Sequence, residues 1–246
     1  GNYRMGKLTV ALLGSIGALW VLGLGLSRLP ISEQNVDTLS VAIVQPNIPL
    51  AQKWDPLYQD QIMQVLRDET DPLWHNDLVV WPEASIPLMY HDAGFFLEEI
   101  EDIATSTNTG VITGILYDDA KPMTFYNSII GLGRADGIYF KQRLVPFGEY
   151  VPLERWLRGL INFFNLPNSI IFPGPKDQDI LSFDNYKVAP SICYEIVYPD
   201  LVARLAKDAN LLITISNDAW FGRSIGPLQH FQMAQMRALE NRRTVL

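Results

Sequence analysis

From Leu8 to Leu26 the chain runs 19 residues without a charge, LTVALLGSIGALWVLGLGL. Wound as a helix, such a run is roughly 28 Å long, close to the hydrocarbon thickness of a bilayer. The chain is therefore expected to carry a membrane helix near its start. Arg4 and Lys7 precede the run, whereas Arg28 follows it and gives way to Glu33 and Asp37. That asymmetry places the leading end in the cytoplasm and the rest across the membrane. Gly14, Ser15, Gly17, Ala18, Gly23 and Gly25 leave the helix with small sides, as suits packing against other membrane helices. A cleaved signal peptide is the competing reading, disfavoured by the length and by the lack of a small-x-small site after Leu26. The expected layout is a membrane helix with short flanks over 1–30, a polar linker over 31–38 and one large domain over 39–246.

Within that domain, short apolar runs alternate with amphipathic stretches, the pattern of an α/β fold with helices packed on sheet faces. Strands are expected at 40–45, 78–81, 111–116, 127–131, 138–140, 187–192 and 211–216. Helices are expected at 55–70, 95–106, 200–207 and from 227 onward. Leu153, Trp156, Leu157, Leu160, Ile161 and Phe164 recur at helical spacing opposite Glu154, Arg155, Arg158 and Asn162. That segment reads either as a helix covering the core or as an amphipathic arm lying at a membrane surface.

Composition removes several classes of function. The net charge of −8, with its basic residues scattered, argues against nucleic acid as a partner. His75, His91 and His230 are far apart and lack metal-ligand spacing, so neither a metal nor a cofactor is expected. Cys193 is the only cysteine, which rules out an intrachain disulfide and leaves core filler or nucleophile.

Three strand ends favour the nucleophile. Glu83 closes the run Val79-Val80-Trp81-Pro82, Lys141 follows Tyr139-Phe140, and Cys193 follows Ser191-Ile192. An ordinary thiol is only a few per cent ionised at neutral pH and needs a base or a neighbouring cation. A carboxylate can take its proton, and an amine can steady both the thiolate and the oxyanion formed when a carbonyl is attacked. The backbone N–H of Tyr194 is a natural second donor to that oxyanion. Taken singly, each residue has a plainer reading: a capping glutamate, a solvated lysine, a buried cysteine.

With Glu83 in WPE, Lys141 in YFKQRLVPFGEYVP and Cys193 in ICYE, the chain resembles the nitrilase (carbon–nitrogen hydrolase) superfamily and its Glu-Lys-Cys triad. LVPFGEYVP and SNDAWFGRSIGPLQHFQMAQMRALENRR narrow the resemblance to the membrane branch of that superfamily, the apolipoprotein N-acyltransferases. The resemblance implies a nitrilase-like α-β-β-α sandwich. It implies transfer of an acyl chain from a phospholipid donor, through a Cys193 thioester, to the amino terminus of a diacylglyceryl-apolipoprotein acceptor, on the periplasmic side of a bacterial inner membrane. Glu83 is then general base and Lys141 oxyanion stabiliser. Glu149, Tyr194, Glu195 and Trp54 match supporting positions, with a purely structural role as the alternative; Glu149 could simply orient Lys141 through an ion pair. The resemblance also implies that further membrane helices and the final strands of the catalytic fold lie outside this stretch of chain. A membrane-tethered amidase of small amides shares the triad and is the rival reading.

Overall fold

The computed structural model describes residues 6–28, 38–121, 124–146, 148–150 and 171–246. The chain divides into two compact units, Gly1–Asp37 and Thr38–Leu246.

The first unit contains helix α1 (Lys7–Leu26), whose mean hydropathy of 2.0 and 20-residue length suffice to cross a membrane. None of its residues is buried. Ser15 Oγ donates to the carbonyl of Ala11, which satisfies that hydroxyl within the helix.

The second unit is built on two five-stranded sheets. In the first, β1 (Val41–Ile43), β2 (Leu78–Val80) and β3 (Gly110–Asp118) run parallel, followed by antiparallel β4 (Phe125–Gly133) and β6 (Ile138–Phe140). In the second, β10 (Thr244–Val245), β9 (Leu211–Ile215) and β8 (Tyr186–Ile192) run parallel, and β7 (Leu181–Phe183) and β5 (Ala135–Asp136) complete it antiparallel.

Alternation along β2 explains the layering, because successive side chains in a strand leave on opposite faces. Leu78 and Val80 join Ile112, Ile129 and Tyr139 in a core shared with Phe183, Val188, Ile192 and Ile215 of the second sheet. Val79 and Trp81 face the other way. They pack with Leu66 of α2 (Gln59–Thr70) and with Phe96, Ile100 and Ala104 of α3 (Gly94–Ser106). Trp81 is fully buried, and its indole N–H donates to Thr70 Oγ1 at 3.0 Å. Helices α4 (Pro199–Ala206) and α5 (Gly226–Asn241) belong to the second sheet's side, with Leu201, Val202 and Leu205 of α4 in its core. The order is helix, sheet, sheet, helix. Each Leu-sized side chain buried this way contributes about 1.5–3 kcal/mol.

Differences from the expected elements are local. The run read as a strand over 40–45 pairs only over Val41–Ile43, at the sheet's edge; Val44 adds one bond to Val80 O and Pro46 cannot continue the ladder. The helix expected from residue 55 opens instead as a 3-10 turn (Pro56–Tyr58), capped by Asp55 Oδ1, which accepts from Leu57 N at 3.0 Å. Strands β5, β7 and β10, two or three residues long and each including a polar residue, were not expected. The amphipathic segment 153–164 and most of the linker lie outside the described residues.

Candidate active site

Strands β2, β6, β8 and β9 deliver their carboxyl ends to one place, and the residues that follow them meet there. Glu83 sits three residues beyond β2. The turn that carries it crosses β3 so closely that a methyl on Gly114 would stand 2.5 Å from Ala84 N and 2.8 Å from Glu83 Cα. Only glycine leaves room for that crossing. Ala84 itself has φ +45°, and Ser85 anchors the turn by bonding Gly114 O and Thr113 Oγ1.

The Glu83 carboxylate is 7% exposed and heavily bonded. Its Oε1 accepts from Asn127 Nδ2 at 2.7 Å and lies 3.5 Å from Lys141 Nζ; its Oε2 accepts from the backbone N–H of Asn217 at 2.8 Å. That last bond crosses from the first sheet to the end of β9 in the second. Behind it, buried Lys53 donates from Nζ to the Glu83 carbonyl at 3.0 Å. Burial lowers the Lys53 pKa, against the opposing pull of Glu83.

Lys141 follows β6 and is only 1% exposed. Its backbone is held on both sides, N–H to Asn127 O at 2.8 Å and carbonyl to Gly174 N at 2.7 Å. Gly174 passes so near that a methyl there would lie 2.5 Å from Phe140 Cβ. The ammonium donates to Glu149 Oε1 at 2.8 Å, while Glu149 Oε2 accepts from Val145 N at 2.7 Å. Burial lowers the Lys141 pKa; Glu83 and Glu149 outweigh burial and raise the pKa above the usual lysine value.

Cys193 begins a 3-10 turn (Cys193–Val197) directly after β8, in a left-handed conformation with φ +51°. Left-handed backbone costs a non-glycine residue roughly 1–2 kcal/mol and must be held by its surroundings. Burial pushes the thiol up to about 12; the Glu83 charge raises it as well, while Lys141 and a hydrogen bond with Ser216 lower it. The resting group is a neutral thiol within the electrostatic reach of both Glu83 and Lys141.

Glu195 joins the two sheets. Fully buried, it accepts from Gln142 N at 2.7 Å, Arg143 N at 3.1 Å and Tyr139 OH through the end of β6, and from Ile192 N at 2.9 Å at the end of β8. One carboxylate therefore ties the turn bearing Lys141 to the turn bearing Cys193. Burial raises its pKa, with these backbone bonds pulling the other way.

Of the expected site residues, Lys141 bonds both Glu83 and Glu149, and Cys193 is coupled to Glu83 and Lys141. Glu149 does pair with Lys141. Tyr194 is half-buried with its ring edge-on to Tyr198, centroids 5.5 Å apart. Trp54 is 41% exposed, and the member of the QKWD string that reaches Glu83 is Lys53. Sequence reading also missed Asn127, Asn217 and the group Ser216, Asp218 and His230. His230 is a hydrogen-bonding residue of this site: Nε2 lies 2.9 Å from Cys193 O, and Nδ1 lies 3.0 Å from Asp218 Oδ1. The string SNDAWFGRSIGPLQHFQMAQMRALENRR, quoted for the resemblance, holds four of these residues and was the available signal.

Residues 40–246 match the carbon-nitrogen hydrolase family. An apolipoprotein N-acyltransferase of Pseudomonas syringae pv. tomato is 46% identical over 226 residues, covering 91% of this chain and 45% of that protein. The chain thus spans about half the length of the curated relatives it matches. The fold is similar to a carbon-nitrogen hydrolase from Helicobacter pylori G27 (TM-score 0.55, 15% identity, 85% of this chain and 73% of that one). It is equally similar to a variant of the amidase from Nesterenkonia sp. AN1 (TM-score 0.55, 16% identity, 84% and 74%). That variant shows covalent addition of the acetamide moiety of fluoroacetamide at its active-site cysteine.

Proposed function

The chain belongs to the carbon–nitrogen hydrolase family, and from that premise we propose that it is the catalytic part of a membrane-bound bacterial apolipoprotein N-acyltransferase, working at the periplasmic face. The observation that carries the catalytic reading is the buried Glu83–Lys141 pair within electrostatic reach of a thiol whose backbone is held left-handed. The naming of relatives 46% identical over most of this chain supports the lipid substrates, and α1 supports a site held beside a bilayer.

The chemistry runs in two halves. In the first, the Cys193 thiol gives its proton to Glu83 as sulfur attacks an ester carbonyl of a phospholipid. The developing oxyanion is met by the Lys141 ammonium and the backbone N–H of Tyr194. Because Lys141 stays protonated, that positive charge is in place before substrate arrives and costs no reorganisation. Collapse breaks the ester C–O bond. The lysophospholipid oxygen takes the proton back from Glu83, leaving a Cys193 thioester.

In the second half, the α-amine of a diacylglyceryl-cysteine attacks the thioester and Glu83 accepts the amine's proton. The C–S bond breaks, an amide remains, and the departing sulfur recovers the proton from Glu83. Glu149 keeps Lys141 aimed, and Asn127 with the Asn217 N–H holds the Glu83 carboxylate in register. Glu195 and the exposed Trp54 act outside the bond-making steps, the first as a tie between turns and the second at the substrate-facing rim.

Likeness to an amidase favours one rival, hydrolysis of small amides. A single assay separates them. Full-length protein in phospholipid vesicles is given a diacylglyceryl-cysteinyl peptide, and the peptide's mass is followed. Gain of one acyl chain on the peptide is the expected result; ammonia release from small amides without acyl transfer overturns the proposal.

A further inference from the structure

The steps above make no use of the cluster behind the nucleophile, formed by Ser216, Asp218 and His230. His230 is 8% exposed on the first turns of α5, and both its ring nitrogens are committed. Nε2 faces the Cys193 carbonyl oxygen at 2.9 Å, and a carbonyl oxygen can only accept, so Nε2 carries a proton. Nδ1 faces Asp218 Oδ1 at 3.0 Å, an oxygen that already accepts from Ser216 Oγ. A carboxylate also only accepts, so Nδ1 carries the second proton and the ring is an imidazolium.

The electrostatics agree with that assignment. The Asp218 bond raises the His230 pKa against burial, assisted by the bond to Cys193 and the charge of Glu83. Burial pushes Asp218 up, yet the His230 and Ser216 bonds outweigh it and leave it below its usual range. Phe221 lies alongside, its ring centroid 6.2 Å from the imidazole.

The carbonyl that His230 grips belongs to Cys193 itself, whose backbone is held at φ +51°. We propose that His230 is a positioning residue for the nucleophile: pinned by Asp218, its imidazolium holds the Cys193 carbonyl and keeps the sulfur presented to Glu83 and Lys141. Ser216 extends the arrangement. Its hydroxyl has one proton, which goes to Asp218 while Cys193 is a thiol and turns to the sulfur when the thiolate forms. Loss of the His230 charge breaks the grip, because a neutral ring beside an ionised Asp218 keeps its proton on Nδ1 and has none for the carbonyl.

This inference rests on Cys193 being the nucleophile and not on which acyl donor it serves. The test measures the rate of Cys193 alkylation by iodoacetamide on the full-length protein, by intact mass, across neutral to alkaline pH. Wild type is compared with His230→Ala and His230→Gln, with thermal melts alongside. At neutral pH, His230→Ala is expected to slow labelling about 10- to 100-fold, the scale of a reacting atom misplaced by an ångström. His230→Gln should stay within about 3-fold, because a side-chain amide N–H can still donate to the carbonyl but does not titrate. The ratio of wild-type to His230→Gln rates should therefore fall as pH rises through the His230 pKa.

A pH-independent ratio overturns the proposal, as does an unchanged rate in a folded His230→Ala protein. If His230→Ala fails to fold, the ratio of the other two proteins decides alone. Should lipid acyl transfer be absent while the His230 dependence holds, the substrate assignment fails and the positioning role stands.

Discussion

The two sheets bring opposite kinds of strand end to the same site. From the first come Glu83, Asn127 and Lys141, joined by Glu149 into a buried ionic network. From the second come Cys193, Ser216 and the Asn217 N–H, where the reacting atom is neutral and the backbone is bent into a costly conformation. On one side charge is set in advance; on the other the reactive species is created only during attack. A standing thiolate would add a second negative charge beside the Glu83 carboxylate, which is why Glu83 raises the thiol's pKa.

The largest expected effect tests the second sheet alone. Cys193→Ser should cut acyl-enzyme formation by roughly 10⁴-fold or more. It keeps volume and conformation, so the melting free energy should change by less than about 1.5 kcal/mol. An acyl adduct on another residue, seen by intact mass, would contradict the assignment. Next, Glu83→Gln should lower turnover by about 10²- to 10⁴-fold, the usual worth of a positioned base. It should also have an effect of opposite sign on the thiol. The Glu83 charge raises the Cys193 pKa, so removing it lets thiolate form at lower pH, and alkaline iodoacetamide labelling should become faster. Slower labelling would mean that the two sheets are not coupled through charge.

Lys141→Met sharpens the contrast in stability. Turnover should fall about 10²- to 10³-fold for loss of an oxyanion donor. Buried Glu83 and half-buried Glu149 lose their shared cation, so denaturant unfolding should register a loss on the order of 3–5 kcal/mol. If Cys193→Ser costs as much, the division into a charged and a neutral half is wrong. The smallest expected effect is Glu195→Gln. It leaves one amide where a carboxylate served four donors, and unfolding should show a loss of about 1–3 kcal/mol. Turnover should fall less than for the preceding variants, because Glu195 ties turns together rather than meeting substrate.

The same division governs what could be read without coordinates. β2, β6 and β8 are legible because each is a buried apolar run ended by a polar residue, and that pattern also picks out Glu83, Lys141 and Cys193. The pairing of Glu149 with Lys141 spans eight residues and was within reach. Asn127 was not, since it meets Glu83 across 44 positions and gains its meaning only when β4 is laid beside β3. Lys53 was hidden by its neighbour Trp54, the bulkier residue drawing attention while the lysine does the bonding. His230 was weighed only as a metal ligand, a question of spacing among histidines. Its actual partner is a backbone carbonyl 37 residues away, which no spacing rule addresses. Strands β5, β7 and β10 escaped because Ala-Asp, Leu-Ser-Phe and Thr-Val are short and broken by a polar residue, so none stands out as an apolar run.

The proton held on Lys141 has a corollary beyond oxyanion binding. An ammonium that keeps its proton throughout the working range has no lone pair to offer, so this amine is closed to imine formation. Aldehydes and other carbonyl reagents should leave it untouched while modifying lysines at the surface. The protein can therefore keep a primary amine beside acyl carbonyls without its becoming an acceptor in place of the incoming one.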